Sequence, residues 1–468
     1  MRAARIRLID LFKDQRSLIG QRSLIGLMCL VLWSGGVAYG QEREPLTLPL
    51  AVEVALRSHP LMRVVGAGRE MAVAQVQEAR GARWPMVQLS ETVTNGNNPV
   101  FVFGSLLEQA RFTEQNLILP RLNNPAGLTN FRFGVAIRAP LFDQFQSTTR
   151  IRQARIRTEQ ADERTEMVRQ RIRFEVVRGY YGLVLATVRK RVADESVDLA
   201  AADVKVSRDR VEAGMAVVSD LLAAEVQLAE MVQQQVEAAG ELVTARAGLN
   251  TALGIAIDTP QGVAGELVGK RFEPGEEAQL LREALEHRPD LRQAGLAVES
   301  GVAGVKGARS EYLPRVDLFA NFGASRNNWM NGSSDYTVGA SLTFNLVDAG
   351  RNGRIAQARA ANGMMVAEQE NLLNQIRFEV VRARQQYLTA RERTEVAERM
   401  IRQATEAVRI VQDRYREGLT TMTEVLRAQT TLSRARMMVL AARYDCYIGY
   451  AQLLLMTGRL TDVQPFVS

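Results

Sequence analysis

The sequence contains very little histidine, cysteine and aromatic residue for its length. Two of its 468 residues are histidines and two are cysteines, which is too few for a metal cluster or a disulfide framework. His59 and His287 each lie one or two residues before a proline, which favours a structural role. Aromatic residues make up 6%, hydrophobic residues 46% and charged residues 24%. This composition is typical of long helices and excludes a disordered or collagen-like chain.

Several functional motifs are absent as well. The sequence has no Ser/His/Asp set, no metal-ligand spacing and no phosphate-binding glycine loop, so neither an enzyme nor a cofactor is expected. Beyond residue 40, no stretch approaches the roughly 18 uncharged apolar residues of a membrane helix. An anchoring helix in the mature chain is therefore not expected.

The first 40 residues have the features of a signal peptide. Six basic residues precede an apolar stretch at 24–33, and small residues precede a cleavage point before Gln41. Without residues 1–40 the net charge falls from +7 to about +3, so the high pI does not indicate a nucleic-acid partner. The mature chain would keep one thiol, that of Cys446. The protein is therefore predicted to be exported.

What the sequence does contain is a duplication. The segment IRFEVVR occurs at 172–178 and again at 376–382, which is an offset of 204. Other pairs share this offset or a longer one: Gly214 with Gly418 and Gly254 with Gly458 at 204, and Pro60 with Pro289 at 229. An offset that holds over many residues indicates a repeated unit. We therefore predict repeats at 41–271 and 272–468, with about 25 extra residues in the first between Pro85 and Ile172.

Each repeat predicts the order helix, two strands, very long helix, tight turn and returning helix. The helices are expected at 49–83, 145–213 and 219–253 in the first repeat and at 277–311 and 351–417 in the second. Strands are expected at about 86–94, 131–141, 315–324 and 336–346. Segment 95–130, which joins the first two strands and contains two Asn-Asn-Pro sequences, is expected to be a long loop. A helix of about 68 residues is ~100 Å long. The fold class is therefore mainly α with a small β portion.

Apolar residues alternate with polar or small residues along the predicted strands. Tyr336, Val338 and Leu342 share one face, whereas Thr337 and Ser341 share the other. A soluble half-buried sheet alternates in the same way, but export without a membrane helix favours a transmembrane sheet. Four strands cannot enclose an open lumen, and unpaired edges are not tolerated in lipid. The sheet is therefore expected to close by self-association.

The long helices carry apolar and small residues at alternating spacings of three and four, which is typical of coiled-coil seams. The seam positions are Val197, Ala200, Val204, Ser207 and Val211 in one helix and Ile401, Ala404, Val408, Val411 and Tyr415 in the other. Cys446 lies on the seam of the last helix. We therefore expect it to be a small packing residue rather than a nucleophile.

In these features the chain resembles the TolC-like outer-membrane efflux proteins. The similarity covers nearly the whole mature chain and rests on the order of several short motifs. They are LTLPLAVEVALRSHP at 46–60, PLFD at 140–143, LVDAGR at 346–351, RVEAG and SDL around 210–221, and YREG and TEV around 415–425.

The resemblance implies a homotrimer in the outer membrane of a Gram-negative bacterium. A 12-stranded β-barrel in the lipid would continue into a periplasmic α-helical barrel. The trimer would serve as the exit duct of a tripartite efflux or type I secretion system for small molecules or proteins. Its partners would be a periplasmic adaptor and an inner-membrane transporter of the resistance–nodulation–division (RND), ABC or major-facilitator (MFS) type.

The two predicted hairpin tips are the candidate site. Gly214 and Gly418 suit the left-handed residue that ends a helix, and Ser219 and Thr423 suit the N-cap of the next helix. These features alone also describe two ordinary helical hairpins. The resemblance implies that an adaptor contacts these turns.

The resemblance also implies a gate at these tips. Asp220 and Tyr415 match positions at which an acidic residue and a tyrosine bond to hold the entrance closed. Glu424 and Arg427 occupy positions that carry two acidic residues in some members, so an acidic ring would be only half present here. Thr420 replaces an arginine that supports closure in other members.

Two alternatives belong to other functional classes. An enzyme is disfavoured by the missing catalytic motifs. A periplasmic coiled-coil adaptor, or another structural envelope protein, could also contain long helical hairpins. Adaptors carry one hairpin flanked by small β-domains, however, whereas this sequence has a duplicated pair of hairpins and strands with an apolar face. The sequence does not identify the cargo.

Overall fold

The computed structural model describes residues 45–327 and 332–467, and the predicted signal peptide at 1–40 lies outside them. The described part consists of long α-helices and one four-stranded antiparallel sheet. This confirms the predicted mainly α fold with a β portion.

The elements of the first half follow the predicted order. They are α1 (Leu48–Ser58), α2 (Pro60–Gly81), β1 (Met86–Gly96), α3 (Pro99–Glu108), a 3-10 turn (Glu114–Leu117), α4 (Leu119–Asn123), β2 (Leu128–Phe142), α5 (Gln146–Glu212) and α6 (Val218–Leu253). The second half comprises α7 (Glu277–His287), α8 (Pro289–Arg309), a 3-10 turn (Ser310–Tyr312), β3 (Arg315–Arg326), β4 (Gly332–Thr343), α9 (Arg351–Arg416), α10 (Met422–Met456) and α11 (Gln464–Val467).

The sequence predicted one helix at 49–83, but the structure has two. His59 is extended, with φ −63° and ψ 128°, because a residue before proline is disfavoured in the helical region. Its Nδ1 accepts a hydrogen bond from the backbone N–H of Leu61, 3.1 Å away, and so caps α2. The helix expected at 277–311 is interrupted in the same way between His287 and Pro289.

The four strands pair in chain order, so β1 and β4 are the two edges of the sheet. Strand β4 ends at Thr343, whereas the sequence predicted it to continue to 346. Thr343 pairs with Arg315, the first residue of β3, and the residue before Arg315 is Pro314, which has no N–H to donate. The ladder therefore ends there, and 344–346 lead into α9.

Segment 95–130 was predicted to be a loop, but it contains α3 and α4. Asn98 caps α3, because its Oδ1 accepts hydrogen bonds from the N–H groups of Val100 and Phe101 at 3.0 and 3.2 Å. Pro99 occupies the first helical position, where a missing N–H is harmless. The corresponding connection between β3 and β4 is only residues 327–331.

The long helices pack along the predicted seams. Helix α5 packs along α6, and α9 packs along α10. Ala200, Val204 and Ser207 are buried on α5, as are Ala404 and Val408 on α9. Within the described ranges, no helix combines the length and the apolar composition needed to cross a bilayer.

The largest core cluster lies where the shorter helices and the 254–276 connection meet the long ones. The Tyr387 hydroxyl donates a 2.5 Å hydrogen bond to the carbonyl of Phe272 and accepts one from the N–H of that residue at 3.1 Å. Cys446 is 3% exposed in this core, and burial raises the pKa of its thiol. Its position agrees with the predicted packing role.

Two glycines allow the helices to approach closely at this level. Gly254 has φ +69°, and a Cβ there would lie 2.6 Å from the Cα of His59. Gly458 has φ +71°, and a Cβ there would lie 2.8 Å from the backbone of His287. Both the left-handed backbone and the contact require glycine. We call these two close contacts, Gly254 with His59 and Gly458 with His287, the joints. Each joint thus contains one of the two histidines of the sequence.

Candidate functional site: the two hairpin tips

The first hairpin tip connects α5 to α6. Gly214 has φ +69°, and its N–H donates to the carbonyl of Val211 at 3.0 Å. The N–H of Met215 donates to the carbonyl of Arg210 at 2.8 Å. This pair of bonds is a Schellman motif, which satisfies carbonyls that the helix end leaves unpaired. The predicted left-handed glycine therefore sets the direction in which the chain leaves α5.

The second tip, between α9 and α10, has the same geometry. Gly418 has φ +74°, and its N–H donates to the carbonyl of Tyr415 at 3.1 Å. The N–H of Leu419 donates to the carbonyl of Arg414 at 2.8 Å. A Cβ at either tip glycine would meet nothing within 4 Å. Backbone conformation alone therefore accounts for glycine at the tips.

The N-cap prediction was wrong at both tips. Val217 and Thr421 are the N-cap residues, and neither makes a side-chain cap hydrogen bond. Ser219 and Thr423 lie inside the first turns of α6 and α10 instead. The Schellman turn fixes where the chain leaves the preceding helix, so α6 and α10 begin earlier than cap preference alone suggests.

Each returning helix has one acidic residue at its third position. The N–H of Asp220 donates to the carbonyl of Val217, and the N–H of Glu424 donates to the carbonyl of Thr421. A negative charge in the first turn is favourable because it faces the positive end of the helix dipole. This local role accounts for both acids without any gate.

The side chain of Tyr415 lies between the two hairpins. It packs on the small apolar cluster of Met422, Val425 and Leu426. The guanidinium carbon of Arg210 lies 4.5 Å from the centre of its ring. Both residues belong to helix ends, one at each tip, so this cation–π contact joins the two hairpins of one chain.

Asp220 does not bond to Tyr415 within the described part of this single chain. Its carboxylate is half-buried and makes no side-chain hydrogen bond or ion pair among the described residues. Arg210 was not predicted from the sequence to be the partner of the Tyr415 ring. The duplication did indicate that this position is used in both repeats, because the position of Arg210 in the first repeat holds Arg414 in the second.

Glu424 and Arg427 form an ion pair on the exposed surface of α10. The Nη1 of Arg427 lies 2.9 Å from the Oε1 of Glu424, and both side chains are more than half exposed. The pair offsets the negative charge of Glu424. Thr420, in the turn itself, is half-buried.

A second polar feature lies about three helical turns above the first tip. Burial raises the pKa of Asp203 on α5, and Gln429 of α10 donates a hydrogen bond to its carboxylate. One oxygen of this carboxylate, Oδ2, is buried without a hydrogen-bond partner in the described part. The same holds for the hydroxyl of Ser207, one turn further along the seam. In the described residues no group of His, Cys, Asp and Glu could hold a metal ion.

Comparison with known proteins identifies the family. The family model described as outer membrane efflux protein matches residues 51–255 and 280–459. The chain belongs to the outer membrane efflux protein family. Both matched segments end at the Schellman turns that close α6 and α10.

Two curated relatives align with most of this chain. Protein CyaE of Bordetella pertussis is 30% identical over 405 residues, which is 84% of this chain and 80% of the relative. Outer membrane efflux protein BepC of Brucella suis is 23% identical over 444 residues, which is 93% of this chain and 90% of the relative.

Solved structures share the fold. The Campylobacter jejuni CmeC outer membrane channel superimposes with a TM-score of 0.75 at 16% identity, covering 88% of this chain and 85% of CmeC. At this level of identity the likeness concerns the fold alone.

Family membership decides between the alternatives raised by the sequence. This efflux protein is an outer-membrane exit duct of a Gram-negative bacterium, and it is not a periplasmic adaptor. Both the family and the fold are those of channel proteins.

Proposed function

We propose that three copies of this chain form a continuous duct, with a 12-stranded barrel in the outer membrane and a helical barrel in the periplasm. The observation that carries this proposal is the sheet of four strands with β1 and β4 unpaired at its edges. Pairing β1 of one copy with β4 of the next would satisfy both edges without further strands.

The two faces of the sheet support this arrangement. One face carries large apolar side chains that are exposed in the single chain. They include Val87, Leu89, Val93, Leu318, Phe322, Tyr336, Val338 and Leu342. The register places polar residues on the other face, among them Arg138, Asp317 and Asn321. An apolar face toward lipid and a polar face toward a lumen is the pattern of membrane barrels.

The helical hairpins would form the periplasmic part of the duct. We propose that a periplasmic adaptor docks at the tip turns around Gly214, Ser219, Gly418 and Thr423 and connects the duct to an inner-membrane RND, ABC or MFS transporter. No reaction is assigned to the chain. The buried thiol of Cys446 and the positions of His59 and His287 at helix ends support transport without catalysis or cofactor.

The tips would also act as the gate. Asp220 and Tyr415 would bond in the closed trimer, where Asp220 of one chain can meet tip residues of a neighbour. The free carboxylate of Asp220 and the Tyr415 hydroxyl, each without a side-chain hydrogen bond in the described part of one chain, support this role.

Two measurements test the assembly. Light scattering in mild detergent should give about three chain masses, because single sheets have unsatisfied edges; a monodisperse monomer with full β-content would contradict the barrel.

Val135→Arg places a charge on the apolar face of central strand β2. It should destabilise the membrane-embedded barrel by about 2–4 kcal/mol and so lower the yield of trimer. Its matched control, Ala136→Arg, points to the polar face and should assemble normally. Equal effects would contradict the assignment of faces.

Orientation is tested separately. Asn123 lies in segment 97–127 between β1 and β2 and should be accessible from the cell exterior. An epitope placed there should be labelled on intact cells. Labelling only after the outer membrane is permeabilised would reverse the proposed direction of the duct.

A further inference from the structure

The segment between β1 and β2, residues 97–127, has a structure of its own and packs onto the sheet. We call it the insertion. On α3, Val102 and Ser105 are buried. The Phe103 and Phe112 rings meet edge to face at 4.9 Å. The insertion is therefore a folded element with one side against the sheet.

An ion-pair network fixes the end of α3 to three strands of the sheet. The Oε2 of Glu108 lies 2.8 Å from the Nη1 of Arg132 on β2 and accepts a 2.9 Å hydrogen bond from the hydroxyl of Ser325 on β3. The Nη2 of Arg132 lies 3.2 Å from Asp335 on β4. Ser325 is completely buried. The charged side chains of the network are 41–47% exposed, so it joins the helix to the sheet through one buried hydroxyl and three half-exposed charges.

Gln109 adds a second connection. Its side-chain nitrogen donates to the carbonyl of Thr129 at 3.0 Å and to the Oδ1 of Asn130 at 2.9 Å. Gln109 and Asn130 are both nearly fully buried. Charged and amide contacts on neighbouring strands thus hold the insertion in one place.

These contacts place the insertion on the polar face. Arg132 pairs with Ser325 across β2 and β3. Since side chains alternate along a strand, Arg132 lies on the same face as Arg138, and Asn130 does too. The apolar residues Phe131 and Phe133 point the other way. The insertion therefore covers the face that would line the lumen.

The outer side of α3 is apolar. Val100, Phe103 and Leu107 are spaced by three and four residues, which puts them on one side of the helix. They are 81%, 39% and 50% exposed. We call these three residues the α3 stripe. It points away from the sheet, so lipid on the opposite face cannot cover it.

We propose that the α3 stripes of three copies meet on the axis of the trimer and form an apolar seal across the outer mouth of the duct. This inference rests on the proposed trimeric barrel. Each α3 stripe would contact the α3 stripes of the other two copies, because threefold closure brings three identical inward-facing surfaces together. A narrow apolar constriction resists wetting and so blocks water and ions. Opening would require the three helices to separate.

Cross-linking tests whether the stripes meet. Leu107→Cys should give disulfide-linked dimers in the purified trimer under mild oxidation, because two of three cysteines near an axis can pair. Leu119→Cys is the matched control: Leu119 is 71% exposed in the same insertion but lies off the stripe. Dimers from Leu107→Cys alone would support the seal. Equal dimer formation by the two variants, or none from either Leu107→Cys or Val100→Cys, would overturn it.

Sided labelling tests whether the seal blocks passage. Asn321→Cys places a thiol on the polar face of β3, deeper in the proposed lumen. A bulky polyethylene-glycol maleimide added to intact cells should label it several-fold faster when Val100→Ser and Leu107→Ser are combined with it. Leu119→Ser should leave the rate unchanged, and Glu108→Gln should raise it by loosening α3. Native Cys446 is buried and gives the background rate.

The outcomes separate the two proposals. If the trimer forms and Asn123→Cys is labelled from outside, but Asn321→Cys reacts at the same rate in all backgrounds, the seal is wrong and the duct stands. If no trimer forms in the unmodified protein, or Asn123→Cys is protected on intact cells, the proposed assembly or its orientation fails first. The trimer mass of each serine variant is measured as a control, so that a change in labelling rate reports on the seal rather than on unfolding.

Discussion

The guanidinium carbon of Arg210, at the end of α5, lies 4.5 Å from the centre of the Tyr415 ring at the end of α9. Because each residue immediately precedes a tip turn, this contact connects the two hairpins of one chain. A cation–π contact of this kind contributes about 0.5–1 kcal/mol at an exposed site. Any movement that separates the hairpins must break it.

Removing this contact should favour the open entrance. We expect Arg210→Ala to raise single-channel conductance in planar bilayers and to increase the vancomycin sensitivity of cells. Arg414→Ala is the matched control, since Arg414 occupies the same position in the second repeat and has no aromatic partner among the described residues. If both variants behave alike, the effect is one of tip charge and the cation–π contact is not a closing element.

The proposed bond between Asp220 and Tyr415 makes a second prediction. A charge-assisted hydrogen bond is worth roughly 1.5–3 kcal/mol before solvent competition. Asp220→Ala or Tyr415→Phe should therefore raise the open population by about tenfold for each 1.4 kcal/mol lost, while trimers still assemble. The double variant should add little to either single one. Unchanged conductance in all three would leave these residues as ordinary hairpin positions.

Ion selectivity should depend on Arg427. Because Arg427 pairs with Glu424 at 2.9 Å, we expect the unmodified duct to have weak cation selectivity. Arg427→Ala frees the carboxylate and should shift the reversal potential in a salt gradient toward cation selectivity. Glu424→Gln should abolish that shift when the two substitutions are combined. A shift that persists in the double variant would locate the selectivity elsewhere.

Alanine substitution should destabilise the protein more at the joint glycines, Gly254 and Gly458, than at the tip glycines, Gly214 and Gly418. Alanine at Gly214 or Gly418 meets only the penalty of a left-handed backbone, about 1–2 kcal/mol. Alanine at Gly254 or Gly458 adds a Cβ within 2.6 or 2.8 Å of another backbone segment. Thermal unfolding followed by circular dichroism should therefore show a larger loss for the joint variants. Equal losses at all four positions would mean that the joints relax freely.

Asp203 should make stability depend on pH. Its folded-state pKa is raised by burial above the ordinary value of 3.8, so the folded chain retains a proton that the unfolded chain has released. Stability should fall as pH rises from about 3.8 through the folded pKa and stay reduced above it. Asp203→Asn should raise the unfolding temperature at neutral pH and have little effect in acid. Asp198→Asn, at an exposed position of α5, is the control. A pH-independent effect of Asp203→Asn would refute this linkage.

Much of the architecture could be read from local signals. Left-handed glycines such as Gly214 end the long helices at the expected places, and alternation locates the strands to within a few residues. The caps could not be predicted as well, because Ser219 and Thr423 have good cap chemistry but the preceding turn decides where α6 and α10 begin.

Relationships between distant segments were not available from the sequence. Arg210 and Tyr415 belong to different hairpins and lie far apart in the sequence, and only the packing of the hairpins brings them together. The insertion was missed for a different reason. Its prolines and asparagines indicated a loop, although Asn98 and Pro99 also form a helix start and the three-and-four spacing of the α3 stripe was present.

The presence of the insertion in the first repeat only has a consequence for symmetry. At the tips each chain contributes two nearly equivalent hairpins, so in the proposed trimer that end approaches sixfold symmetry and offers six similar surfaces to a partner. At the mouth each chain contributes one α3, so that end is strictly threefold. A partner ring of six subunits could match the tips but not the mouth, so the two ends of the duct would differ in the symmetry of the partners that they can bind.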